Sequence, residues 1–110
     1  MEFLRNHGYD ILNFNVSVSR FGEIDIIAKK GEKIIFVEVK YRKGPSHGLA
    51  IESLSQNKCR KLARTIIAYS ISKKISIDNI QCDFVAIQET ESGREFEHVE
   101  NIELPYAFFL

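Results

Sequence analysis

The segment GEIDIIAKKGEKIIFVEVKYRK, Gly22 to Lys43, is two apolar runs joined by a short Lys/Gly turn. Both runs are rich in isoleucine and valine, which favour strands. Gly31 supplies the positive φ that a turn of hairpin length needs. The segment therefore reads as two antiparallel strands, Phe21–Ala28 and Ile34–Tyr41, around a turn at Lys29–Lys33. Polar groups interrupt both runs where a strand would normally bury an apolar side chain: Glu23 and Asp25 in the first, Glu38 and Lys40 in the second.

Residues two apart in a strand share a face. Glu23 and Asp25 then point one way, and Ile24 and Ile26 the other. Ile35, Val37 and Val39 share one face; Phe36, Glu38 and Lys40 share the opposite one. Folding about Gly31 brings Asp25 close to Glu38, so two carboxylates and one ammonium occupy one small volume. Paired carboxylates repel, and burying them is costly unless something neutralises them. Lys40 can pair with one. A divalent cation such as Mg²⁺ can bind both, because it takes one or two carboxylates together with waters and phosphate oxygens. Such an ion acidifies a bound water and offsets charge on a phosphodiester, while Lys40 holds the water or a phosphate oxygen. The same spacing also suits an ordinary cross-strand ion pair on a solvated sheet face.

The remaining pattern supplies the rest of a small domain. Residues 1–7 read as the last turns of a helix with Phe3 and Leu4 inward, stopped by Gly8, with His7 at its C-terminus. Tyr9–Ser19 reads as a strand interrupted near Asn13. Arg42–Gly48 is a loop rich in breakers, with His47 exposed in it. A helix follows from Ser53 or Ser55 to Ser72, with Ser53-x-x-Gln56 fitting a capping box. Cys59, Leu62, Ala63, Ile66, Ile67 and Ser70 form its buried stripe, flanked by Lys58, Lys61 and Arg64. Gln81–Gln88 reads as a fourth strand and Glu95–Ile102 as a fifth. The closing PYAFFL is expected in the core or over a sheet edge. His98 receives no role. A strand reached across a long helix suits a parallel crossover.

At 110 residues, 45% hydrophobic and 27% charged, the chain is of a size and makeup for one globular domain, residues 1–110. No apolar run approaches the roughly 20 residues that span a bilayer, so no membrane role is expected. The opening MEFLRNHGYDIL lacks the pattern of a secretory leader. Cys59 and Cys82 lie far apart and outside any C-x-x-C spacing, which predicts reduced thiols in a cytoplasmic protein. The formal net charge is zero but unevenly spread. Residues 1–74 hold 14 Lys and Arg against 7 acids, and residues 75–110 hold 1 against 8. Between Lys40 and Lys74 stand nine bases and a single acid, Glu52. A basic surface of this kind attracts polyanions.

GEIDIIA, a turn and FVEVKYR, with HGYDIL before them, CDFVAI after the helix and VENIELPYAFF at the close, resemble the YraN-like bacterial family of uncharacterised proteins. That family is related to Holliday-junction resolvases within the PD-(D/E)xK nuclease superfamily. The resemblance implies an α/β (α+β) fold with a restriction-endonuclease-like core, a mixed four- to five-stranded sheet flanked by helices. It implies Asp25, Glu38 and Lys40 as the catalytic set. Asp25, Glu38 and the carbonyl of Val39 would hold Mg²⁺ or Mn²⁺, and Glu23 would touch metal-bound water or order the turn. Arg42 and Lys43, with Gln56, Lys58 and Lys61 on the following helix, would meet nucleic acid; of Gln56 and Lys58, Lys58 is the better match. Relatives carry an upstream helix with a Gly and a Glu that this chain, starting at MEFLRNHGY, is expected to hold only in truncated form. Glu2 does not fall at the matching position.

The function implied is a metal-dependent endonuclease acting on branched or structured DNA, working as a homodimer because a four-way junction needs two symmetric cuts. The alternatives are a nucleic-acid-binding protein on the same fold with little or no cleavage, and a partner-binding domain whose Asp25, Glu38 and Lys40 are only an ion-pair cluster.

Overall fold

The computed structural model describes residues 1–44 and 50–108. A short helix α1 (Glu2–Asn6) leads into strands β1 (Asp10–Val18), β2 (Gly22–Lys30) and β3 (Lys33–Lys43). After a 3-10 turn at Ala50–Ser53 comes helix α2 (Gln56–Ser72), then β4 (Ile80–Thr90) and β5 (Gly93–Val99). The strands form one mixed sheet in the order β1-β2-β3-β4-β5. Its pairs are antiparallel except β3 with β4, which is parallel and reached across α2, as the sequence predicts. This is an α+β fold, a mixed five-stranded sheet flanked by helices.

The two faces of the sheet have different covers. On one, Ile27, Phe36 and Cys82 pack against Leu62 and Ile66 of α2. On the other, Ile26, Val37, Val85 and Ile87 pack with Leu4 of α1 and with Tyr9. The helix stripe is buried as expected at Leu62, Ala63, Ile66, Ile67 and Ser70, with Cys59 half-buried and Thr65 added. Both cysteines are free. Gly31 adopts the positive φ of the β2–β3 turn, at 61°.

Several boundaries shift. The fifth strand is Gly93–Val99 rather than Glu95–Ile102, because it closes a hairpin on Thr90↔Gly93 and leaves β4 after Val99. β3 runs on through Arg42 and Lys43, which the sequence assigns to a loop, because β4 keeps pairing with them. His47 lies outside the described residues, as do Phe109 and Leu110 of PYAFFL; Tyr106 of that segment packs against the α2-side core. β1 is irregular between Ile11 and Asn13, as expected. His7 does close α1, its Nδ1 lying 2.7 Å from the Phe3 carbonyl.

The capping box at Ser53 is a correction. Ser55 is the N-cap of α2, and its hydroxyl oxygen accepts from Lys58 N–H at 3.1 Å, while Ser53 sits in the preceding 3-10 turn. An N-cap serine satisfies an amide that has no partner within the helix. Ser55→Ala is therefore expected to lower stability by about 1 kcal/mol, read from the urea midpoint at unchanged m-value.

Candidate active site

The backbone ladder between β2 and β3 runs from Lys30↔Lys33 to Ile26↔Val37. The next positions along the two strands are Asp25 and Glu38. Here a side chain takes over from the ladder: Val39 N–H donates to Asp25 Oδ2 at 2.8 Å. The carboxylate thus satisfies an amide that would otherwise need a backbone partner. The strict alternation expected of β2 also fails at this point. Ile24 packs with Ile27, Phe36 and Leu62 on the α2 side, whereas Ile26 packs on the opposite face.

Asp25 and Glu38 both line the same cavity wall, close enough that each carboxyl acts directly on the other. Glu38 is half-buried. That burial, then the hydrogen bond and charge of Asp25, push its carboxyl up to about 8. Lys58 and the Val39 amide act in the opposite direction and are outweighed.

These groups line a cavity of about 540 Å³ between the sheet and the first half of α2. Glu23, Asp25, Glu38, Val39 and Lys40 come to it from the hairpin, and Lys58 and Lys61 from the helix. Positions 58, 61, 62 and 65 recur at helical spacing and form one face of α2. Gly22 lets that face come close: a Cβ there would lie 3.2 Å from Thr65 Oγ1 and 3.4 Å from Lys61 Cε. The Thr65 hydroxyl sits 3.1 Å from the Phe21 carbonyl and tethers helix to hairpin.

Three of the expected contact residues do not line the cavity. Gln56 borders a separate groove with Cys59, Arg60 and Glu103. It stands two residues from Lys58, which is about 200° around a helix, so the two cannot share a face. Arg42 shares Glu38's side of β3 but lies four residues along, about 13 Å away. Lys43 alternates to the other face; Arg42 and Lys43 pair with Gln88 and Glu89 of β4. Glu23 reaches the cavity as an exposed side chain but does not close on Asp25 and Glu38 as a third near donor.

A second polar cluster lies on the opposite face, and there His98 does have a part. Asp83 is fully buried. Its Oδ1 accepts from Asn101 N–H at 3.0 Å and Gln81 Nε2 at 2.9 Å. Its Oδ2 meets the Tyr9 hydroxyl and lies 2.8 Å from His98 Nε2. The Tyr9 hydroxyl also lies 3.0 Å from Glu100 Oε1. Burial opposes ionisation of Asp83, but the Asn101 amide, Tyr9, Gln81 and His98 together outweigh it and hold the carboxyl below its usual range. Asp83, His98 and Glu100 offer ligand atoms within 4.8 Å of one another, the one such trio among the described residues. The sequence signal was present: alternation in QCDFVAIQ puts Asp83 on a face with Val85 and Ile87, where an acid requires donors.

Comparison with known proteins places these residues in a family context. Residues 1–87 match the profile described as "Uncharacterised protein family UPF0102". A UPF0102 protein of Vibrio campbellii is 38% identical over 100 residues, covering 91% of this chain and 81% of that one. One from Brachyspira hyodysenteriae is 41% identical over 106 residues, covering 93% and 86%. Among solved structures, Pyrococcus furiosus SfsA in complex with Ca²⁺ aligns over 90% of this chain and 57% of that one. Its TM-score of 0.36 at 15% identity is too low to carry an argument.

Proposed function

The chain belongs to the UPF0102 family, and from that premise we propose that it is a metal-dependent DNA endonuclease acting on branched or structured DNA. One observation carries the reading. Two carboxylates from adjacent strands are held together on a cavity wall, facing lysines from a strand and a helix.

The donor set fits Mg²⁺ or Mn²⁺. Asp25, Glu38 and the Val39 carbonyl are all oxygen donors, the kind these ions take. The pair is also poorly balanced by protein groups alone, since Glu38 holds a proton to about pH 8. Bound there, the ion supplies an acidified water and positive charge for a phosphodiester. The chain's own residues do the rest. Lys40 holds the water or a non-bridging oxygen, and Lys58 and Lys61 seat the flanking phosphates. Glu23 orders water at the cavity mouth. Arg42 and Lys43 meet nucleic acid only where it runs past the cavity along β3, and Gln56 only around the start of α2. Two symmetric cuts need two copies of the site, so the proposal includes a homodimer; a junction complex that light scattering finds to hold a single copy would remove that part.

The test is calorimetric titration with Mn²⁺ on the native chain and Asp25→Ala. A carboxyl raised in the folded state keeps its proton longer there than in the unfolded chain, so ionising Glu38 disfavours the unliganded fold between pH 4.5 and about 8. Metal binding needs the ionised form and displaces that proton. Affinity is expected to rise about tenfold per pH unit from pH 6 to about 8 and then level off. Asp25→Ala should abolish it. Absence of Mn²⁺ binding at pH 8 in the native chain would sink the proposal. Salt-sensitive retention of DNA with no cleavage in Mg²⁺ or Mn²⁺ would instead favour a binding protein on the same fold.

A further inference from the structure

We propose that Asp83, His98 and Glu100 form a second site, specific for a divalent transition-metal ion of the Zn²⁺ type, on the face of the sheet opposite Asp25 and Glu38. The placement follows from strand alternation. Phe84 lines the Asp25–Glu38 cavity, while its neighbour Asp83 points the other way, into the layer that holds Tyr9 and α1. The two sites are separated by the sheet itself.

The donors are already gathered and oriented. Asp83 Oδ1 is anchored by Asn101 N–H and Gln81 Nε2, which turns Oδ2 toward His98 Nε2 at 2.8 Å. The His98 ring is set edge-on to Phe3, with centroids 5.8 Å apart, and to Tyr9, at 5.5 Å. Glu100 Oε1 completes the trio, all within 4.8 Å. Donors so close need only small movements to share one ion, and the groups that steer them are the outer contacts that metal sites depend on. The Tyr9 hydroxyl, 3.4 Å from His98 Nε2 and 3.0 Å from Glu100 Oε1, becomes such an outer contact.

Ligand chemistry selects the ion. One imidazole nitrogen among carboxylate oxygens favours Zn²⁺ and its neighbours over Mg²⁺ and Ca²⁺, which prefer all-oxygen sets. Two carboxylates match a dication; Lys30 Nζ lies 3.9 Å from Glu100 Oε1, and the His7 ring lies 6.4 Å from that of His98. His98 Nε2 carries a proton where it meets the Asp83 carboxylate at 2.8 Å; an ion binding at Nε2 displaces that proton to solvent or to Nδ1, and the bound ring keeps its proton on Nδ1. Entry is from the Glu100 side, whose side chain is 57% exposed, whereas Asp83 forms the closed floor. An ion here ties β4 to β5 and to the segment after it, so its role is to brace the fold.

The experiment uses the full chain carrying Asp25→Ala, so that the first site is silent. Zn²⁺ is added during calorimetry and during NMR of the histidine rings. The expected result is one equivalent bound, with the His98 resonances shifting in step. Tm should rise on the order of 10 °C at Zn²⁺ about 100 times Kd. Adding Glu100→Gln, a change at an exposed side chain, should weaken Zn²⁺ more than about 100-fold, beyond what loss of an outer contact does. His98→Gln should abolish binding. Zn²⁺ uptake that leaves the His98 resonances unmoved overturns the proposal, as does an affinity unchanged by Glu100→Gln or no uptake at all.

Discussion

Asp83→Ala is expected to destabilise the protein by about 3–5 kcal/mol, measured by urea unfolding at pH 7 in chelator. The carboxylate is fully buried and accepts from a backbone amide, an amide side chain and a tyrosine, with a histidine beside it. Alanine leaves the Asn101 amide and the Tyr9 hydroxyl without that acceptor, and a donor so orphaned costs more than its bond contributed. The pH dependence has a definite sign. A carboxyl held below its usual 3.8 in the fold stabilises at pH values above 3.8, and that contribution is lost as pH falls through the lower folded value. The alanine variant should lose this acid-side slope. A loss under about 1 kcal/mol would mean that the network is not what ties β4 to Tyr9 and Asn101.

If the chain is the endonuclease proposed above, Lys40→Ala is expected to lower Mn²⁺-dependent cleavage of branched DNA by about 100- to 1000-fold, the range for removing one positioned donor from a phosphoryl or oxyanion site. Lys40 is exposed and the described structure gives it no ion pair, so the substitution should leave the urea midpoint nearly unchanged. Gln56→Ala is the matched control. It sits on the neighbouring helix but off the cavity, so its effect should stay within about twofold. Steady-state cleavage of the three proteins decides the matter. Activity that survives Lys40→Ala would assign the hydrolysis to another site, and a Gln56 effect as large as that of Lys40 would move the DNA path to the other side of α2.

Much of what lines the candidate site was legible because period-two and helical spacing are local properties. Asp25, Glu38 and Lys40 could be placed together from a hairpin register that Gly31 sets. Lys58 and Lys61 could be placed on α2 from its apolar stripe. Gln56 and Lys58 stand about 200° apart on any helix, but which of the two faces the cavity is set only by how the helix packs. Ser55, not Ser53, is the cap.

What the residues determined alone was therefore the hairpin, the crossover helix and which polar groups interrupt apolar strands. Tertiary structure decided the rest. It broke the alternation at Asp25, where a carboxylate replaces a ladder bond and Ile24 turns to the α2 side. It placed Lys58 on the cavity and Gln56 on a separate groove by fixing which face of α2 meets the sheet. It joined Tyr9, Asp83, His98 and Glu100, up to 91 positions apart, into one cluster. Local sequence carries periodicity, but a contact between distant segments exists only once the sheet has set them side by side.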